Sequence, residues 1–149
     1  MRPYSRRNQG GQARKEKAVP DKDEIRELLA RYCFTLDEGR PEDMAALFTS
    51  DGVWETAFGI GRGREGIVAE MKSIATEPRP KRLHLATNIV IDLDGEQASV
   101  RSNWVVFKNS STSPVIGAAG SYYDHVVKVG GRWFFAYRRI DRFIAEGKD

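Results

Sequence analysis

Four side chains of this 149-residue chain are of the types that move protons and steady charge: Tyr32, Asp37, His84 and Arg138. His84 is the sharpest of them, because it interrupts the run Arg82-Leu-His-Leu-Ala-Thr-Asn-Ile-Val-Ile-Asp92, which reads as a buried strand. Strand side chains alternate faces, so His84, Ala86, Asn88 and Val90 are expected on one side and Leu83, Leu85, Thr87, Ile89 and Ile91 on the other. The small Ala86 leaves room between the two polar groups, as the wall of a pocket would. A core histidine satisfied by a single hydrogen bond is the competing reading.

Asp37 falls in the last turn of a helix, where the backbone dipole disfavours a carboxylate by a few tenths of a kcal/mol to about 1 kcal/mol. A nearby cation would account for it; an exposed helix-end aspartate is the alternative. An aspartate bonded to one imidazole nitrogen fixes the tautomer and makes the other nitrogen a better base, so His84 could take a proton from carbon or oxygen. Tyr32 could donate to a carbonyl or a leaving hydroxyl. Arg138, a permanently charged fork of donors, could steady a developing anion. Strict alternation gives Arg138 the same strand face as Phe134 and Ala136; a surface position in the Arg138-Arg139 pair is the other reading. Trp54, Phe58, Trp104, Val106 and Tyr122 are the expected lining, and they favour a hydrophobic, ring-containing molecule.

The elements that must position these groups follow from periodicity. A helix is expected from Asp21 or Asp23, with Ile25, Leu28, Leu29, Tyr32 and Leu36 on one face and Gly39 at its end. Pro41 opens a short second helix containing Met44, Ala45, Leu47 and Phe48 and ending near Ser50-Asp51-Gly52. Val53–Phe58 reads as a strand and Glu65–Ile74 as a third helix, broken by Glu77-Pro-Arg-Pro80. Asp94-Gly95 marks a hairpin turn after the His84 strand, with Ala98–Lys108 returning. A loop over 109–119 then leads to a last hairpin, Tyr122–Val129 and Trp133–Phe143, around Gly130-Gly131. Helices first and antiparallel strands after them indicate an α+β domain.

Gly61, Gly63 and Gly66 match the spacing of a dinucleotide-binding turn. That turn requires a parallel βαβ unit with an acidic residue some twenty positions on. Here the corresponding stretch is Pro78–Arg82, so a tight hairpin feeding a helix is expected instead.

Composition, 40% hydrophobic and 30% charged, is that of a globular chain with no run of membrane-spanning length. The net charge of +3 is misleading, because residues 1–20 hold six basic residues and one acidic, leaving −2 for residues 21–149. The body is not a basic nucleic-acid binder, and residues 1–20 read as a disordered basic leader. The single Cys33 cannot form an internal disulfide, in keeping with a reducing cytoplasm. The two histidines stand in no ligand spacing, so no metal and no cofactor are expected, and no serine-nucleophile elbow is present.

Tyr32-x4-Asp37, Gly63-Arg-Glu-Gly66, Leu83-His84-x-x-Thr87-Asn88, Gly120-x-Tyr122 and Gly131-Arg-Trp133 followed by Arg138 occur in this order. The series resembles the SnoaL-like branch of the nuclear-transport-factor-like superfamily, whose dehydratase members include scytalone dehydratase, lindane dehydrochlorinase and bile-acid dehydratase. The resemblance covers about residues 21–143. It implies a cone-shaped, barrel-like curved antiparallel sheet packed against three helices around one deep apolar pocket. It also implies a helix aspartate paired with a sheet histidine, positions matched by Asp37 and His84, with Tyr32, Asn88 and Arg138 matching further site positions. His125 has no counterpart in that pattern, and the second histidine of scytalone dehydratase has no match, so no particular substrate is implied.

Together these point to a cofactor-independent lyase or isomerase acting on a cyclic hydrophobic molecule such as a polyketide, steroid or terpenoid. The rival is a non-catalytic binding or assembly domain, such as the small subunit of a ring-hydroxylating oxygenase. A homo-oligomer, dimer or trimer, is expected because the His84 strand is apolar on both faces.

Overall fold

The computed structural model describes residues 9–75, 81–109 and 113–145. Their order is α1 (Gln9–Asp37), α2 (Pro41–Ala45), β1 (Phe48–Glu55), β2 (Ile60–Arg62), α3 (Gly63–Ile74), β3 (Arg82–Asp94), β4 (Gln97–Lys108), β5 (Val115–Val129) and β6 (Arg132–Ala145). The apolar stripe of α1 does what its spacing demands: Ile25, Leu28, Leu29, Tyr32 and Cys33 are all buried. Each large aliphatic side chain so placed is worth about 1.5–3 kcal/mol.

Several boundaries differ from expectation, among them the start of β5 at Val115, inside the expected 109–119 loop, where Val115 and Ile116 pair with Lys108 and Phe107 of β4. The first helix starts at Gln9 rather than near Asp21 and carries Pro20 inside it, so residues 9–20 are helical while residues 1–8 lie outside the described residues. Asp21 is a tertiary anchor: its Oδ1 accepts from Lys128 Nζ at 2.6 Å and from Trp133 Nε1 at 3.1 Å, tying α1 to the β5–β6 hairpin. The second helix stops at Ala45, because Phe48 is pulled into a strand beside Phe135, with ring centroids 5.1 Å apart. The segment Glu77–Pro80 lies outside the described residues.

The strands form one six-stranded sheet in the order β2-β1-β6-β5-β4-β3. All neighbours are antiparallel except β1 and β6, which run parallel. The sheet is therefore mixed and open, with free edges at β2 and β3, rather than an all-antiparallel barrel; the curvature and the three helices packed against it are as expected. The parallel pair joins segments more than eighty residues apart, a contact that hairpin signals between sequence neighbours do not report.

The glycine run is a β1–β2 hairpin that leads directly into α3. A Cβ on Gly61 would lie 2.7 Å from Ile67 Cα, so this glycine lets helix and strand touch. Arg64 then donates through Nε and Nη2 to the Phe48 carbonyl, at 3.1 and 2.9 Å, fastening α3 to the start of β1.

Two bulges decide which side chains face inward. In β3 the pairing with β4 slips between Thr87 and Val90, and Asn88 adopts φ 52°, a left-handed conformation that asparagine tolerates better than most residues. Beyond this point the phase reverses. Ile89, Ile91 and Leu93 join His84 and Ala86 on the inner face, while Asn88 and Val90 are exposed together with Leu83 and Leu85. In β6 the register passes from Val126↔Phe135 to His125↔Tyr137, leaving Ala136 as the extra residue. Phe135 and Arg138 consequently share the inner face, and Phe134 and Ala136 are not Arg138's neighbours there.

Gly120 is the tightest point of the sheet: a Cβ there would lie within 1.9 Å of the Asp141 carbonyl oxygen of β6. Replacing Gly120 by alanine is expected to force β5 and β6 apart and destabilise the fold by about 1–3 kcal/mol or more. Urea denaturation of the variant checks this; an unchanged midpoint would show that the close approach is dispensable.

Candidate active site

Between the helices and the concave face of the sheet lies a cavity of about 650 Å³, lined by Tyr32, Leu36, Trp54, Phe58, Met71, Ile74, His84, Trp104, Val106, Ala118 and Ile140, among others. This is the size of pocket that takes a multi-ring organic molecule. It is mostly apolar because α1, α3 and the inner faces of β3–β6 all turn their hydrophobic sides toward it.

His84 reaches the cavity from β3, and Asp37 stands behind it at the end of α1. Asp37 Oδ1 lies 2.5 Å from His84 Nδ1, and Oδ2 accepts the backbone N–H of His84 at 2.9 Å. One carboxylate thus holds both the ring and the main chain of the same residue, across 47 positions of sequence. Both side chains are largely enclosed, 15% exposed for His84 and 12% for Asp37. A proton on Nδ1 shared with Asp37 makes Nε2 the basic nitrogen of the ring. The carboxylate that the helix end disfavours has found its partner.

Tyr32 is fully buried and lines the same cavity. Its hydroxyl oxygen accepts the indole N–H of Trp54 at 2.8 Å, which leaves the phenol's own hydrogen to be donated elsewhere. Burial raises the Tyr32 pKa well above the usual phenol range, against the lowering influence of Arg138 and Trp54, so the group is a neutral donor. Burial likewise pushes the Cys33 thiol up to about 11, and it stays protonated at neutral pH.

Arg138 does not project into the cavity, nor is it on the surface. It is 0% exposed, forming a bidentate pair with Asp124 in which Nε and Nη2 each donate at 2.7 Å. Its guanidinium carbon sits 4.1, 4.0 and 4.3 Å from the ring centroids of Tyr32, Tyr122 and Phe135. Burial alone would lower its pKa, but the Asp124 charge and hydrogen bonds raise it above the ordinary value, so it remains charged. The expectation that it steadies an anion in the pocket gives way to a different placement, behind the aromatic wall.

Of the other expected residues, Trp54, Phe58, Trp104 and Val106 line the cavity. Tyr122 lies behind the lining, stacked on Trp104 at 5.9 Å between centroids, and Asn88 is turned outward by the β3 bulge. His125 faces away from the inner side that holds Asp124. Asp124 was not singled out from sequence, although a signal existed: strict alternation along β5 puts it between Tyr122 and Val126 on the core face, where a carboxylate demands a cation. Among the described residues no group of three His, Cys, Asp or Glu is placed to hold a metal ion, and no helix is long and apolar enough to cross a membrane.

Helices laid on the concave face of an open sheet, with a cavity between, define the NTF2-like, cystatin-like class of folds. Residues 17–139 match the SnoaL-like domain family, and the chain belongs to it. A comparison with curated proteins finds no significant match. Among solved structures, a Mycobacterium tuberculosis protein of unknown function is 29% identical, covering 86% of this chain and 75% of its own, with a TM-score of 0.76. A candidate scytalone dehydratase from Novosphingobium aromaticivorans is 25% identical over 87% of this chain and 89% of its own, with a TM-score of 0.74. The β subunit of a candidate aromatic-ring-hydroxylating dioxygenase from the same organism is 21% identical over 87% and 93%, with a TM-score of 0.75, a likeness of fold alone.

Removing one member of the Arg138–Asp124 pair leaves a buried charge without its partner. Arg138→Met is expected to lose about 3–5 kcal/mol of stability, and the double variant Arg138→Met/Asp124→Leu to recover most of it. Urea denaturation of both checks this, and equal losses in the two would refute the pairing argument.

Stability should also fall with alkali. Cys33, raised from 9.0 to about 11, and the raised Tyr32 and Tyr122 keep protons in the native state that the unfolded chain releases. The unfolded state binds fewer protons in this window, so Tm is expected to drop between pH 9 and pH 11, less steeply in Cys33→Ala. A flat Tm across that window would contradict the assignment.

Proposed function

We propose that the chain is a cofactor-independent lyase or isomerase that removes a proton from a cyclic, hydrophobic small molecule, of polyketide, steroid or terpenoid kind, with His84 as the base. The observation that carries this reading is the double grip of Asp37 on the His84 ring and backbone, at the wall of an apolar cavity. Such a grip fixes the tautomer, orients Nε2 and stabilises the imidazolium that forms.

In this mechanism Nε2 takes a proton from a carbon beside a carbonyl, and the bonding pair moves onto the carbonyl oxygen. The Tyr32 hydroxyl donates to that oxygen, with Trp54 holding the phenol in place. For elimination, the electron pair returns and expels a hydroxyl group, which leaves as water with the proton carried by the imidazolium. For isomerisation, the imidazolium returns its proton to a different carbon of the ring system. Arg138 acts through Tyr32, whose ring it holds by cation–π contact. We also propose that the protein works as a homo-oligomer through the outer face of β3, where Leu83, Leu85 and Val90 are 52%, 43% and 59% exposed.

Screening cyclic hydroxy-ketones for loss of water or a shifted double bond supplies the assay. His84→Ala is expected to lose about 10²–10⁴-fold in kcat with substrate binding retained. Asp37→Asn should lower kcat with little change in affinity, and the double variant should be scarcely worse than His84→Ala, because the two residues act as one unit. Tyr32→Phe should lower kcat without changing the folded content. Full activity in His84→Ala would remove the mechanism; copurification with a large oxygenase subunit, and no turnover, would establish the assembly role instead.

A further inference from the structure

The cavity is apolar at its floor and cationic at its mouth. Along the β3–β4 pair the lining runs from Ala86↔Trp104 through His84↔Val106 to Arg82↔Lys108, and exposure rises in that order on β3 from half-buried Ala86 and His84 to exposed Arg82. The aliphatic stem of Lys108 lies across Gly117 of β5, where a Cβ would meet it at 2.8–2.9 Å, so the missing side chain makes the trough in which the lysine rests. On the opposite wall Arg142 of β6 lies over the ring of Phe58, 5.3 Å from its centroid. All of these residues except Ala86 line the cavity, and its described lining includes no aspartate or glutamate. Arg82 and Arg142 make no ion pair with a described residue.

Two exposed arginines on the lining of one low-dielectric cavity raise the positive potential within it, and each presents a planar fork that fits a carboxylate. Nothing in the hydrophobic character of the proposed substrate explains such a rim. We propose that the substrate is an acid: its ring system lies against Trp54, Trp104 and Ile140, and its anionic group is held at the mouth by Arg82 and Arg142. This deepens the reading above and rests on the cavity's being the substrate site. Arg82 stands two residues beyond His84 on β3, about 7 Å along the strand. The charged group is therefore separated from the carbon that loses its proton by about one ring's width, and serves as an anchor rather than as the activating carbonyl.

The test uses two probes with the same ring system, anionic 8-anilinonaphthalene-1-sulfonate and neutral N-phenyl-1-naphthylamine, titrated against the full chain. Quenching of Trp54 and Trp104 and mutual displacement of the probes report on the cavity. The double variant Arg82→Gln/Arg142→Gln is expected to weaken binding of the sulfonate about tenfold or more, as loss of charge-assisted hydrogen bonds does, and to leave the neutral probe unaffected. Raised salt should act on the wild type in the same selective way. Probe binding reads the rim and kcat of His84→Ala reads the base, so this result stands or falls separately from the role of His84. Equal binding of the sulfonate by wild type and double variant, an equal loss for both probes, or failure of the sulfonate to displace the neutral probe would overturn the proposal.

Discussion

A full positive charge sits at the centre of this molecule, and the placement of its neighbours follows from what that charge needs. Arg138 has no contact with solvent, so both oxygens of Asp124 face two of its nitrogens and three aromatic rings from α1, β5 and β6 close around the rest. An ion pair this deep adds little net stability over a well-packed apolar core, whereas an unpaired member is severely destabilising. What the pair supplies is uniqueness of arrangement: Tyr32, Tyr122 and Phe135 can meet the guanidinium only when helix and hairpin are in their proper register.

That arrangement leads directly to the site. Tyr32 is held from one side by Arg138 and from the other by the indole N–H of Trp54, so its hydroxyl is presented to the cavity at a fixed point. Four residues further along α1 than Cys33, Asp37 reaches β3 and takes hold of His84. The donor and base of the proposed mechanism therefore stand on one helix and the strand it covers, the kind of support that keeps side chains within a fraction of an ångström. Apolar walls around them strengthen each hydrogen bond by excluding water.

The cavity also separates its tasks in space. Its depth is built from tryptophan and aliphatic side chains, its wall carries the His84 ring, and its mouth carries Arg82, Lys108 and Arg142. In the proposed reading, a molecule with an apolar body and an anionic end is drawn in and oriented by this rim.

Much of this was determined by the sequence alone. The helical stripe through Ile25 and Tyr32, the hairpins at Gly95 and Gly130-Gly131, the histidine in an apolar strand and the carboxylate at an unfavourable helix end are local patterns, and local patterns depend on residues a few positions apart. The same holds for the glycine run, which was legible as a hairpin entering a helix. Side-chain direction beyond a bulge was not legible, because one inserted residue reverses every later face. Asn88 and Ala136 each introduce such a reversal, and these two residues turn Asn88 out of the site and bring Arg138 into line with Phe135 rather than with Phe134. Only the tertiary structure decided that Arg138 belongs to Asp124 and not to the cavity, that β1 lies parallel to β6, and that Arg82 and Arg142 line one cavity. Those are contacts between distant segments, set by how the whole sheet curves and where its register slips, and no spacing within a single element encodes them.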